Sequence, residues 1–124
     1  MPEHPKLTLR LRLYHDSEIA FGPGKATLLE QIQQTGSISQ AAKQLNMSYR
    51  RAWLLVNTMN QCFIEPLVIT QTGGTHGGGA HVSALGLQVL SLFRSMEQAA
   101  RHAMTPQHLK LAGLMVNPQP TNNV

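Results

Sequence analysis

Between residues 36 and 60, GSISQAAKQLNMSYRRAWLLVNTMN, the apolar positions form two short helical stripes separated by a turn. Ile38, Ala41, Ala42 and Leu45 recur at spacings of three and four, which places them on one helical face. Ser37 or Ser39 supplies a hydroxyl that can cap exposed N–H groups at its start. The paired alanines let a second helix approach closely. Asn46 follows, and asparagine tolerates the left-handed backbone that a sharp helix end needs. Ser48 then caps a second helix. Ala52, Leu55, Val56 and Met59 form its inward stripe, leaving Tyr49, Arg50, Arg51 and Asn57 outside. A short helix, a tight turn and a second helix with a basic first turn is the pattern of a helix-turn-helix. Trp53 lies beside the inward stripe and is expected to pack into the core.

The flanking patterns extend this unit. Residues 7–14 alternate, with Leu7, Leu9, Leu11 and Leu13 on one side and Thr8, Arg10, Arg12 and Tyr14 on the other. Period two with one apolar face predicts a half-buried strand, and 19–21 a short second one. Gly22-Pro23-Gly24 breaks the pattern. A helix over 23–35 follows, with Ala26, Leu28, Leu29 and Ile32 inside and Gly36 as its stop. Beyond Pro66, residues 67–72 read as a strand. Residues 73–79 hold five glycines in seven positions, and a second short strand lies around Val82. Two strands around a glycine loop, directly after a reader helix, make a wing.

From Leu85 to about Met104, Leu85, Val89, Leu92, Phe93 and Met96 recur at helical spacing, and Ala99, Ala100 and Ala103 extend the stripe. So long a helix exceeds what a small core covers, which points to packing against a second subunit. A short helix over 107–115 and disorder over the last eight or so residues are expected. The expected division is a DNA-binding domain over 1–104, with a dimerisation helix over 84–104, and a partly disordered tail over 105–124. The predicted class is α+β: a winged helix-turn-helix with a three-helix core, a β-hairpin wing, an N-terminal strand and a long C-terminal dimerisation helix.

Charge sharpens the picture. The chain has 124 residues, the size of one domain, and a net charge of +4. Its acids are Glu3, Asp16, Glu18, Glu30, Glu65 and Glu97, so the stretch 31–64 has none while carrying Lys43, Arg50 and Arg51. An acid-free reader suits a polyanion. No apolar run has the length of a membrane span, and residues 1–15 lack a signal peptide's continuous apolar segment, so a cytoplasmic protein without a membrane partner is expected. The one cysteine, Cys62, fits a reducing compartment and a small buried hydrophobe.

The side chains that could carry chemistry point to binding. Arginine donates two hydrogen bonds to guanine O6 and N7, worth roughly 1–3 kcal/mol of discrimination. Ser48 at a helix N-terminus suits a phosphate, and Asn57 lies one turn beyond Trp53. Whether Arg50 or Arg51 reads the base stays open. Thr72, Gly73, Gly74, Thr75, His76, Gly77 and Gly78 form the loop. It joins two strands and has no G-K-[ST], so it is not a nucleotide-binding loop. As a wing tip, it brings backbone N–H groups to DNA phosphates. His76 and His81 lack a third metal ligand, and no serine, cysteine or carboxylate spacing proposes catalysis. No enzyme, metal or cofactor is expected. Two rivals are a winged helix that binds protein instead of DNA, and a regulator that binds an anion such as molybdate through the loop.

The segments GSISQAAK (36–43), MSYRRAW (47–53), VNTMNQ (56–61) and TGGTHGGGAHVSALG (72–86) resemble the N-terminal domain of the ModE family, the molybdenum-responsive transcriptional regulators. SYRRAW together with a TGG-x-x-GGG-A loop is specific to that family, and a weaker resemblance covers 7–35 and the long helix. It implies a winged helix-turn-helix related to that of LysR-type regulators, dimeric and bound to operator DNA. Ser37, Ser39, Ser48, Tyr49, Arg50, Arg51 and Asn57 would serve its reader and the loop its wing. Family members carry C-terminal molybdate-binding domains of the Mop type. The sequence stops at Val124, so a stand-alone reader without such a sensor is expected.

Overall fold

A computed structural model describes residues 5–71 and 79–116. The element order is β1 (Leu13–His15), β2 (Glu18–Phe21), α1 (Pro23–Thr35), α2 (Ile38–Gln44), α3 (Tyr49–Cys62), β3 (Val68–Gln71), β4 (Gly79–Val82) and α4 (Ala84–Gly113). This is an α+β winged helix-turn-helix: three packed helices, a hairpin after the third and a long closing helix.

The helix boundaries follow local chemistry. Pro23 occupies the first turn of α1, where its missing N–H would have had no helical partner. Gly36 ends α1 at φ 70°, a left-handed position that favours glycine. Ser37 caps α2 by accepting from the Gln40 amide at 3.1 Å, and Ser48 caps α3 by accepting from the Arg51 amide at 3.1 Å. Between them Asn46 takes the left-handed conformation, with φ 56°.

The core forms where the inner faces meet. Ala26, Leu28, Leu29 and Ile32 of α1 are wholly buried, as are Ala41 of α2 and Ala52 and Met59 of α3. The small residues at 41, 42 and 52 bring the helices together. Phe21 continues the core outward, packing edge-on against Phe63 and Phe93 with ring centroids 6.3 and 5.1 Å away. Strands β3 and β4 pair antiparallel from Val68↔Val82 to Gln71↔Gly79. The Ala80 amide donates to the Gly36 carbonyl at 2.9 Å, docking the hairpin on the end of α1.

Two expectations change. The alternating segment 7–14 forms a strand only at its end, where β1 pairs with β2, and Leu13 there is exposed. Among the described residues, 5–12 pair with no strand, and both ends of the segment lie against α4 instead. Leu11 shares an apolar groove with Phe93, and the Pro5 carbonyl lies 2.8 Å from Nε2 of His108. Six extended residues span about 20 Å, and the fifteen helical residues from Phe93 to His108 span about 22 Å. Alternation here serves a helix groove, not a sheet.

The second change is the end of α4. It runs 30 residues through Pro106 to Gly113, not to Met104 with a separate short helix after it. Proline removes one helical amide, but the turn before it is exposed, so water can satisfy the orphaned carbonyl. The inward stripe also differs. Leu90 and Phe93 are buried, while Leu92 and Met96 are 58% and 56% exposed.

Candidate nucleic-acid interface

Helix α3 buries Ala52, Val56 and Met59, so the residues opposite them define its outward line. At about 100° per residue, Arg50, Leu54 and Asn57 fall on that line. Tyr49 and Trp53 fall on the flank facing the hairpin, and Arg51 on the far flank. The surroundings agree. Tyr49 and Trp53 share a cleft of about 300 Å³ with Ser37, Ser39, Thr70 and Gln71. Arg50 and Leu54 line the adjoining surface. Arg51 is close enough to Lys25 of α1 to disfavour that lysine's charge.

The structure therefore brings Ser37, Ser39 and Tyr49 together with the hairpin, and sets Arg50 on the open face. Asn57 is half-buried, one turn further along. Ser48 already spends an acceptor position on the Arg51 amide, yet its hydroxyl is exposed and free to donate. Thr72, Gly73, Gly74, Thr75, His76, Gly77 and Gly78 lie outside the described residues. His81 is exposed on β4, and among the described residues no group of three or more potential metal ligands occurs.

Trp53 departs from expectation. It is 45% exposed, not core. Ala52 already fills the space against α2, and the next residue is rotated out of it. Tyr49 and Leu54 are similarly open, at 56% and 50%.

Comparison with known proteins gives the same picture. The transcriptional regulator ModE of Yersinia pestis is 41% identical over 114 residues, covering 88% of this chain and 41% of that protein. The DNA-binding transcriptional dual regulator ModE of Escherichia coli K12 is 37% identical over 97 residues, covering 78% of this chain and 36% of that protein. Over this segment, the chain is similar to the ModE regulators. The molybdenum-pterin-binding protein MopA of Rhodobacter capsulatus is 36% identical over 104 residues, covering 84% of this chain and 39% of that protein. The chain thus spans about two fifths of the relatives it matches. No family model matches it. Among solved structures, ArgP from Mycobacterium tuberculosis superposes on 68% of the chain and 30% of its own length, at 15% identity and a TM-score of 0.49.

The winged helix also contains a positioning residue that periodicity does not reveal. Asn60, in the last turn of α3, accepts from the Leu67 and Val68 amides at 2.9 and 3.1 Å and donates to the Val68 carbonyl at 3.0 Å. One side chain thereby fixes the first strand of the hairpin to α3. A polar residue beside buried Met59 and Val56 is the only sequence signal for it. No helix among the described residues is long and apolar enough to cross a membrane.

Proposed function

We propose that this chain binds duplex DNA sequence-specifically as a homodimer and regulates transcription in the cytoplasm. The observation that carries the reading is the outward line of α3, where Arg50 stands open within a stretch, 31–64, that has no acidic residue. Arg50 is the base reader: it is exposed and lies on the side of α3 opposite its buried stripe. Arg51, turned toward Lys25, grips phosphate with the exposed N–H groups of the α3 N-terminus. Ser37, Ser39, Ser48, Tyr49 and Asn57 contact the backbone and flanking bases, and the glycine loop 72–78 acts as the wing. The Yersinia and Escherichia relatives, transcriptional regulators by name, support the same role.

Dimerisation is supported by α4. Leu92 and Met96 are exposed on it, and with Leu13 and Phe63 they border an apolar groove of about 260 Å³.

The test is selection of binding sites from a randomised duplex pool, followed by gel shifts on the enriched site. Replacing Arg50 and Arg51 together by alanine should abolish the specific shift while circular dichroism stays unchanged. A folded double variant that shifts the site as wild type does would overturn the assignment of α3. Binding should weaken steeply with salt, through counterion release.

A further inference from the structure

We infer that Trp53 and Leu54 form an apolar reader surface that recognises thymine methyl groups in the major groove, beside the base contact of Arg50. The inference rests on α3 being the DNA-facing helix and names what that face selects.

The two side chains lie outside the buried stripe of α3. The inward stripe of α3 is complete without them, with Ala52, Val56 and Met59 buried. Trp53 and Leu54 are instead 45% and 50% exposed, and Tyr49 joins them at 56%. Three large apolar side chains side by side on one short helix form a patch that normally marks a contact surface. Its surroundings say what the contact is. Arg50, Arg51 and Lys43 are the charges of this stretch, and none is acidic. The occupant is therefore a polyanion that also offers apolar surface between its charges. Duplex DNA meets both conditions, and the apolar feature of its major-groove floor is the C5 methyl of thymine.

Spacing fits as well. Arg50 and Leu54 are four residues apart on one helical line, which is about 6 Å of rise. Laid along the groove, that separation spans about two base-pair steps of 3.4 Å. An arginine-read guanine and a leucine-read thymine then fall about two positions apart in each half-site. Trp53, rotated toward the cleft that it lines with Thr70 and Gln71, covers a thymine on the wing side.

The experiment uses the full chain and the duplex it enriches from a randomised pool. That duplex is remade with deoxyuridine in place of each thymidine in turn, which removes only the methyl. Wild type should lose about fourfold in affinity at each contacted position, the transfer free energy of one methyl group. Leu54→Ala and Trp53→Ala should each bind the two duplexes equally at one of those positions, while keeping salt-dependent binding to unrelated DNA. Trp53 is the one tryptophan of the chain, so its emission should shift on saturation with the wild-type duplex. Specific binding that ignores every thymine-to-uracil change, or emission that stays fixed at saturation, overturns the thymine assignment and leaves the DNA reading standing. A pool that yields no enriched duplex overturns both.

Discussion

Arg94 on α4 bonds to Glu30 on α1 through one terminal nitrogen and to Glu97 through the other, the latter at 2.8 Å. Glu97 is almost wholly buried, at 4% exposure, whereas the Arg94 and Glu30 side chains are more than a third exposed. The guanidinium therefore does two things. It makes a buried carboxylate tolerable, and it fastens the long helix to the scaffold helix that carries the helix-turn-helix.

Arg94→Ala should destabilise the fold by about 2 kcal/mol, less than a fully buried pair would lose because one side of the network is wet. Most of that loss is the stranded Glu97 carboxylate. Arg94→Ala combined with Glu97→Leu should recover most of it. Urea midpoints of the three chains measure this, and a double variant as unstable as the single one would place the loss elsewhere.

Gly86 sits in the first turn of α4 against the hairpin. A Cβ there would lie 2.4 Å from the Leu67 carbonyl oxygen and 2.6 Å from Cγ1 of Val82. Helix propensity alone favours alanine by about 1 kcal/mol. The backbone contact decides the sign, because the Leu67 carbonyl is held in place by the Ser83 amide at 2.8 Å. Gly86→Ala should therefore lower stability by about 2 kcal/mol or more, measured by thermal unfolding. A rise in midpoint would show that α4 can slide off the hairpin at no cost.

How far the sequence revealed this structure depends on the range of the interactions. Caps and turns are local, so Asn46, Ser48 and Gly36 are legible from their neighbours alone, the cap of α2 narrows to Ser37 or Ser39, and the ends of α1 fall where expected. The stripe of α4 is not legible in this way, because its periodicity continues past the part that the core covers. Leu92 and Met96 carry the apolar signal but stay outside. Residues 7–12 look like a strand because alternation does not say whether the neighbour is a strand or a helix. Trp53 reads as core because hydrophobicity suggests burial, whereas the adjacent Ala52 already fills the place. Arg94 and Glu30 lie 64 residues apart, and no local rule pairs them.

Leu92 and Met96 give the dimer reading its own test. Both are already solvent-exposed, so Leu92→Glu should barely change the stability of a folded protomer. Placed in a subunit interface, the same carboxylate would be desolvated without a partner, at a cost of several kcal/mol. The variant should sediment as a 13.6 kDa monomer at concentrations where wild type is dimeric. It should also lose the preference for two half-sites over one. A wild-type chain that is itself monomeric while bound to its site would remove the homodimer.

Lys25 makes the fold sensitive to alkaline pH. It is buried in α1, and desolvation lowers its pKa; the charge of nearby Cys62 opposes that shift, Arg51 adds to it, and Glu18 opposes it. A lysine with a lowered folded pKa holds its proton less tightly in the native chain than in the unfolded one, whose value is about 10.4. Below the folded pKa both states are charged, and the full burial penalty weighs on the fold. Between the two values the unfolded state binds more protons, so stability rises with pH there. Above both, the penalty is gone. Lys25→Met removes the charge and keeps the length of the side chain. It should raise the thermal midpoint at pH 7, and its advantage over wild type should shrink as pH climbs toward about 10. Comparing the two chains at each pH cancels the titration of the other lysines and tyrosines. A difference that stays constant from pH 7 to 10 would mean that packing, not the buried charge, sets the effect.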